Sequence, residues 1–184
     1  HVKYQELEIK GAWIIEHGVF GDSRGQLERI LDRAGSEQHG IDPSVEHSLI
    51  STNPDLGTLR GFHFQNAPFI EAKTITCLSG SIYDVIVDLR VDSPTFCSWV
   101  AVDLHAGDHR SVHVPRGCAN AWLTLSPDTS LHYYMAEQFS LDHGRGFRFD
   151  DPAFKVQWPA APLVIAERDL NWPTFDRKID GIQL

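Results

Sequence analysis

Residues 81–90 read Ser-Ile-Tyr-Asp-Val-Ile-Val-Asp-Leu-Arg, a run in which residue character alternates with a period of two. Successive side chains of a β-strand point to opposite faces, so this period predicts a strand. Its first face is wholly apolar and consists of Tyr83, Val85, Val87 and Leu89. Its second face is half acidic and consists of Ile82, Asp84, Ile86 and Asp88. In a closed or two-sheet β protein the acidic face predicts a strand that lines a polar cavity, while two aspartates that face water give the same pattern.

The sequence around this strand predicts further short strands. Gly or Pro recurs at intervals of roughly 8–20 residues from Gly57 to Pro159, which is typical of strands joined by turns. Most of these intervals are rich in β-branched and aromatic residues. The predicted strands are residues 71–78, 81–90, 96–104, 111–115, 121–125 and 130–136. Helices are few, with one turn predicted at residues 141–145, so the predicted fold class is all-β.

Length and composition limit the number of domains and the kinds of partner. A chain of 184 residues, 42% of them hydrophobic, can bury one core and predicts a single domain over residues 1–184. Its formal net charge of −9 argues against nucleic acid or an anionic membrane as a partner. No apolar run approaches the roughly 20 residues of a membrane span and no secretory signal is visible, so a soluble cytoplasmic protein is expected.

Neither the cysteines nor the histidines have the spacing of a disulfide framework or a metal site. Cys77, Cys97 and Cys118 are widely separated and odd in number, which favours buried reduced thiols. The ten histidines form no HxH or HExxH motif, and no Cys-rich cluster accompanies them. The sequence therefore predicts no metal site.

Two segments have the composition of functional sites. Phe-Gly-Asp-Ser-Arg-Gly at residues 20–25 favours a tight turn that exposes Arg24. Arg-Gly-Phe-His-Phe-Gln at residues 60–65 contains a glycine that would let the backbone pass close to another segment. Polar and aromatic side chains could alternate across a strand there, with Arg60, His63 and Gln65 set against Phe62 and Phe64.

Arg60, His63 and Asp169 are candidates for anion binding and proton transfer. The planar guanidinium of Arg60 suits a phosphate or carboxylate, although a lone arginine is more often a surface residue. His63 could be a general base near pH 7 or a hydrogen-bonded core histidine. Asp169 has the composition of an exposed acid, and it matters only if the chain returns it to His63.

Lys73 and the Tyr133-Tyr134 pair are further candidates. Lys73 lies within a strand-like run, where the residues alone favour an outward side chain over one that meets an anion inside. Only one of two adjacent tyrosines in a strand can face inward. A buried phenol near a reacting carbon could donate or accept a proton.

These motifs, taken together, resemble the dTDP-4-dehydrorhamnose 3,5-epimerase family of nucleotide-sugar enzymes. The likeness covers roughly residues 12–175 in matching order and spacing, which makes it far more specific than any single motif. It is carried by Val19–Gly25, Leu59–Gln65, Ala72-Lys73, Tyr83–Arg90, Ser93–Phe96, Val114–Gly117, Leu123–Ser126, Tyr133, Asp150–Pro152, Trp158-Pro159 and Glu167–Asp169.

The resemblance implies a cupin-type β jelly-roll barrel, usually a homodimer, with its site inside the barrel and with no metal and no cofactor. A His63–Asp169 dyad would remove the hydrogen beside the C4 ketone of a nucleotide-linked 4-keto-6-deoxy sugar. Lys73 would stabilise the enolate oxygen, and Tyr133 would return a proton to the opposite face. The substrate-binding residues implied are Arg24 and Arg60 at the diphosphate, together with Gln65, Asn120 and Asp84.

The sequence departs from the family where substrate is held. Cys118-Ala119-Asn120-Ala121-Trp122 stands where the family usually shows Phe-Ala-His-Gly-Phe, so asparagine, which exchanges no proton at neutral pH, replaces a histidine. Gln26-Leu27 stands where the family has Phe-Phe, and Arg29 stands where it has a glutamate. The Ser48-Leu49-Ile50 region replaces a Gln-Asp-Asn run. A GDP- or CDP-linked substrate, or inversion at C3 alone or C5 alone, therefore stays open.

Three other functions are compatible with parts of this pattern. A nucleotide-sugar 3,4-ketoisomerase shares the enolising chemistry but moves the carbonyl instead of inverting a centre. A sugar-nucleotide-binding cupin without catalysis is compatible with Asn120. A metal-dependent cupin oxygenase is disfavoured, because the histidine-rich ligand spacing is missing.

Overall fold

The computed structural model describes residues 1–184, and most of its regular structure is β. Fourteen strands follow one another along the chain: β1 Lys3–Glu6, β2 Trp13–Glu16, β3 Gly18–Asp22, β4 Gly25–Arg29, β5 His47–Asn53, β6 Thr58–Gln65, β7 Lys73–Ser79, β8 Ser81–Asp88, β9 Trp99–His105, β10 Arg110–Val114, β11 Cys118–Thr124, β12 Thr129–Met135, β13 Gly144–Gly146 and β14 Val164–Ile165. Two short α-helices and one 3₁₀ turn complete the fold: α1 Arg33–Gln38, α2 Glu167–Leu170 and the turn Leu141–His143.

The strands form two large sheets that pack as a cupin-type jelly roll, as the resemblance implied. The first sheet has the order β1-β2-β10-β7-β12-β5, and the second has the order β13-β6-β11-β8-β9. All pairings within them are antiparallel except that of β14, which runs parallel to β6. Strands β3 and β4 form a separate two-stranded hairpin. Neither α-helix has the length and apolar content of a membrane-crossing segment.

The predicted strands agree with the observed ones to within a few residues. The alternating pattern predicts these strands correctly because one side of each sheet faces the core, and the side chains on that side are apolar. The predicted helical turn is the 3₁₀ turn at Leu141–His143. The three cysteines are buried free thiols, as predicted.

Strand β8 is buried on both faces. Ile82 and Ile86 belong to the core between the sheets, while Val85, Val87 and Leu89 pack on the far side against C-terminal aromatic residues. Asp84 and Asp88 are both fully buried, so the interpretation in which they face water is wrong. Asp88 anchors the following loop, because it accepts hydrogen bonds from the side chains of Arg90, Ser93 and Thr95. The chain covers this strand from both sides, which a period-two pattern cannot reveal.

A β-bulge between β6 and β11 sets the direction of the polar residues in the 60–65 segment. His63 lies opposite Asn120 and Arg60 opposite Trp122, so three residue steps on β6 match two on β11. The extra residue places Arg60 and His63 on the same side of the sheet, whereas a regular strand would separate them. The backbone of Gly61 has a φ of +124° and passes close to β11. A Cβ atom there would lie 2.6 Å from that of Ala121.

We expect Gly61→Ala to lower the free energy of unfolding by about 2–4 kcal/mol, because it adds a strained positive φ to a steric clash. Gly107→Ala is the matched control, since Gly107 also has a positive φ of 82° but has no atom near its Cβ position. Urea denaturation of both variants separates the two costs. Equal losses in the two variants would show that the close approach to β11 contributes nothing.

Candidate active site

A cavity of about 660 Å³ opens between the two sheets, a size that suits a nucleotide-sized ligand. Strands β7 and β12 of the first sheet contribute to its wall, as do β6 and β11 of the second. The segment from β14 to α2 closes one side. Its polar lining residues include Arg60, His63, Lys73, Asn120, Tyr133, Arg168 and Asp169. The structure thus brings together in one cavity six of the residues that the sequence had singled out, namely Arg60, His63, Lys73, Asn120, Tyr133 and Asp169.

His63 and Asp169 form a hydrogen-bonded pair in this cavity. His63 Nε2 lies 2.7 Å from Asp169 Oδ1, although the two residues are 106 positions apart. The side chain of His63 is 43% exposed toward the cavity, while that of Asp169 is 5% exposed. The residue-based expectation of an exposed Asp169 is therefore wrong, because β14 and α2 return the chain to β6.

The surroundings of Asp169 favour its ionised form. Burial acts to raise its pKa, but hydrogen bonds from His63, from the indole of Trp172 and from the backbone of Gly61 outweigh burial and hold that pKa below its usual value. A carboxylate at Nε2 keeps the proton of a neutral imidazole on that nitrogen. The lone pair of His63 is then on Nδ1, where it can accept a proton.

Lys73 extends into the barrel instead of outward, so the orientation favoured by its neighbours in sequence is wrong. Its side chain is 12% exposed and lies 3.9 Å from the carboxylate oxygen of Glu71. Burial raises the pKa of Glu71, although Lys73 acts to lower it. An inward lysine is tolerated because the carboxylate of Glu71 compensates its positive charge and because its side chain borders the cavity.

Tyr133 is the tyrosine of the pair that faces the cavity, while Tyr134 points to the opposite face of the sheet, toward Thr74. Burial raises the pKa of Tyr133, and Arg60 acts in the other direction. The phenol therefore stays protonated at neutral pH and can act as a proton donor. The ring of Trp122 lies beside it, 5.8 Å between centroids.

Asn120 and Asp84 form the floor beneath this group. Asn120 lines the cavity, while Asp84 lies behind it, fully buried, and receives a hydrogen bond of 2.8 Å from Asn120 Nδ2. Burial raises the pKa of Asp84 to about 8, against the opposing effects of Asn120 and Lys73. Asp84 therefore touches the cavity only through Asn120.

Two of the predicted binding residues lie elsewhere. Arg24 is at the exposed tip of the β3–β4 hairpin, where it pairs with Asp22 and does not line the cavity of its own chain. Gln65 lines a smaller adjoining cavity of about 190 Å³. Its amide bonds three backbone groups, those of Phe69, Gln138 and Ser140, and so holds a loop in place.

Sequence reasoning missed three residues of the site, namely Glu71, Trp122 and Arg168. Arg168 lines both cavities, and its guanidinium lies over the ring of Trp172, 5.0 Å from the centroid. The signal for Glu71 and Trp122 was the period of two, since Glu71 is two positions from Lys73 and Trp122 is two positions from Asn120. No comparable signal marks Arg168.

Comparisons with known proteins agree with this geometry. Residues 6–177 match the family model of dTDP-4-dehydrorhamnose 3,5-epimerase. The enzyme of that name from Sinorhizobium fredii is 34% identical over 94% of this chain and 89% of its own. A crystal structure of the Bacillus anthracis enzyme with TDP and PPi bound has a TM-score of 0.90 and 36% identity, covering 95% of this chain and 100% of that one.

A third relative differs in its reaction. The structure of a 3′-monoepimerase from Streptomyces bikiniensis in complex with dTDP-quinovose has a TM-score of 0.83 and 30% identity, covering 91% of this chain and 85% of that one. The fold, the cavity and these similarities define an isomerase that epimerises nucleotide-linked keto sugars. Within that class, the chain belongs to the dTDP-4-dehydrorhamnose 3,5-epimerase family.

Proposed function

We propose that this protein inverts C3, C5 or both in a dTDP-linked 4-keto-6-deoxy sugar. The observation that carries the proposal is the carboxylate-oriented His63, which shares one cavity with the ammonium of Lys73 and the phenol of Tyr133. Base, electrophile and acid are the three groups that inversion beside a ketone requires. The TDP and PPi bound to the Bacillus anthracis relative support the choice of nucleotide.

The first half of the reaction is deprotonation. Nδ1 of His63 takes the proton from the carbon beside the C4 ketone, the C–H electrons form a carbon–carbon double bond, and the carbonyl electrons move to oxygen. Lys73 Nζ donates a hydrogen bond to that oxygen as its negative charge develops. Asp169 stabilises the imidazolium that His63 becomes.

The second half is reprotonation from the other face. Tyr133 gives its proton to the enolate carbon, the double bond returns to the C4 carbonyl, and the stereocentre is inverted. Solvent then reprotonates the phenolate and removes the extra proton from His63. Because Tyr133 and His63 lie on strands of opposite sheets, donor and base can approach the sugar from opposite sides.

The diphosphate is assigned to the two arginines of the cavity. Arg60 and Arg168 both line it, and neither forms an ion pair with a carboxylate of this chain. Guanidinium groups bind phosphate oxygens with two parallel hydrogen bonds. Their position at the cavity would hold the nucleotide end while the sugar reaches His63.

Hydrogen exchange in D₂O tests the proposal directly. Incubation with dTDP-4-keto-6-deoxyglucose is expected to replace the hydrogen at C3, at C5 or at both, and NMR assigns the position and the product stereochemistry. A ketone that moves to C3 would establish the 3,4-ketoisomerase instead. Binding without exchange would establish a non-catalytic protein, and exchange only on GDP- or CDP-linked sugars would remove the dTDP assignment.

Tyr133→Phe is expected to separate exchange from inversion. The variant keeps the base, so carbon-bound hydrogen still exchanges through His63 on one face, but the opposite face lacks its proton donor. Formation of inverted product should fall about 10²-fold or more. The Tyr134→Phe variant is the matched control, because Tyr134 points away from the cavity. Inversion at the wild-type rate in Tyr133→Phe would assign the second proton to another group.

A homodimer and a cytoplasmic location belong to the same proposal. The β3–β4 hairpin leaves Phe20 and Leu27 exposed, and the edge strand β5 leaves Ile50 exposed. Apolar side chains on such strands favour contact with a second copy. A hairpin that reaches that copy would bring Arg24 to its cavity and give it the diphosphate contact expected from sequence. Sedimentation equilibrium measures the oligomeric state.

A further inference from the structure

Asp84 lies directly beneath the candidate active site, and the reaction described above makes no use of it. Its side chain is fully buried and does not line the cavity. One carboxyl oxygen, Oδ1, accepts a hydrogen bond from Asn120 Nδ2 at 2.8 Å. The other, Oδ2, is buried and has no hydrogen-bond partner.

These surroundings suit a carboxylic acid better than a carboxylate. A buried anion is stable only where a cation or several donors surround it, and Asp84 has one neutral donor. A proton on Oδ2 removes the charge and turns an unpartnered acceptor into a donor. Asn120 Oδ1 is a second buried acceptor without a partner.

A flip of the Asn120 amide, which would exchange its oxygen and nitrogen atoms, cannot supply the missing hydrogen-bond partners. Its Nδ2 also donates to the backbone carbonyl of Val85 at 3.1 Å. Because that oxygen can only accept, the orientation of the amide is fixed. A histidine, which the family usually carries at this position, could give Asp84 a positively charged partner, whereas the amide cannot.

The charge on Asp84 matters because Lys73 is the cation that acts on its pKa. Lys73 acts on Asp84 across the barrel interior, and Glu71 lies 3.9 Å from its ammonium group. With both carboxyl groups ionised, the three side chains carry a net charge of −1 and oppose an enolate. With Asp84 protonated, their net charge is zero or positive. The remaining titratable groups of the cavity are His63, Tyr133, Asp169, Arg60 and Arg168.

We propose that Asp84 is a neutral carboxylic acid at neutral pH, and that its proton keeps the surroundings of Lys73 from becoming net negative. Asp84 is thus a positioning residue that acts through Lys73 and Asn120 and does not touch the substrate. Ionisation of Asp84 weakens the stabilisation of the enolate oxygen. This consequence, unlike the protonation itself, rests on the proposed function.

Carboxyl spectroscopy tests the protonation without a substrate. In protein labelled with ¹³C at the aspartate carboxyl, wild type is expected to show one carboxylic-acid signal at pH 6 that titrates with a midpoint near pH 8. The Asp84→Asn variant should lack this signal, since the amide keeps one acceptor and one donor but cannot ionise. A wild-type protein whose aspartates are all ionised from pH 6 to pH 9 would overturn the proposal.

The pH dependence of kcat tests the consequence. A midpoint near 8 leaves about a tenth of the molecules protonated at pH 9, so wild-type kcat should fall between pH 7 and pH 9, with about tenfold as the upper limit. In Asp84→Asn this fall should shrink to less than twofold. A variant that keeps the wild-type fall would show that Asp84 does not act on the reaction.

Asn120→His changes the hydrogen-bond partner of Asp84 and leaves Asp84 itself in place. It is the second variant to use if Asp84→Asn does not fold. A second imidazole is expected to lower the midpoint of the carboxyl titration by at least one pH unit. An unchanged midpoint would overturn the account of Asn120. A wild-type titration near pH 8 without any hydrogen exchange from substrate would leave Asp84 neutral and remove the proposed function alone.

Discussion

His63→Ala is expected to lower the rate of carbon-bound hydrogen exchange by about 10²–10⁴-fold, the usual contribution of a positioned general base. The imidazole is the one group in the cavity that combines an accepting nitrogen with an orienting carboxylate. Removing it leaves Lys73 and Tyr133, to which the proposed reaction gives the roles of oxyanion donor and proton donor. Binding of the nucleotide sugar should persist, because Arg60 and Arg168 are unchanged.

The measurement is deuterium uptake by mass spectrometry under single-turnover conditions, with calorimetry for binding. His105→Ala is the matched control, since His105 is exposed and lies outside the cavity. Exchange within threefold of wild type in His63→Ala would assign deprotonation to another residue. Loss of binding together with exchange would show that the imidazole holds the substrate as well as reacting with it.

Lys73→Met is expected to lower kcat by about 10²–10³-fold, as loss of a preorganised donor at a developing oxyanion does. Methionine keeps much of the side-chain length and volume but has no charge and no N–H donor. The loss should exceed that of a surface ion because the ammonium is 12% exposed and acts inside the barrel. Lys73→Arg keeps the charge at a displaced position and should recover only part of the rate.

Steady-state kinetics separate the two possible effects of Lys73. Loss of enolate stabilisation lowers kcat and leaves KM near its wild-type value, whereas loss of ground-state binding raises KM with kcat unchanged. Lys178→Met, at an exposed position in the C-terminal segment, is the control. A pure KM effect in Lys73→Met would move Lys73 from the reaction to substrate binding.

Local sequence patterns predicted the strands but not which distant segments pack against them. The period of two located β8 and its acidic face, because it depends only on neighbouring residues. The burial of Asp88 and the inward direction of Lys73 depend on segments far away in sequence. The immediate neighbours therefore left the environment of Asp88 open and favoured the wrong direction for Lys73.

The candidate site was predictable in parts. His63, Asp169, Lys73 and Tyr133 came from the resemblance, and the residues alone could not show that β14 and α2 bring Asp169 to β6. The β-bulge between Arg60 and His63 places both side chains on one face of β6, which a regular alternation across residues 60–65 could not predict. Arg168 was missed because an arginine beside an aspartate in a short helix looks like an ordinary surface ion.

The distance of 106 residues between the two members of the dyad has a consequence for biosynthesis. Domains form as the ribosome extends the chain, and β6 leaves the ribosome long before α2 is translated. The imidazole of His63 therefore lacks its carboxylate until α2 has been made. Enzymatic competence should therefore appear only after α2 has left the ribosome, and a nascent chain stalled before α2 should stay inert.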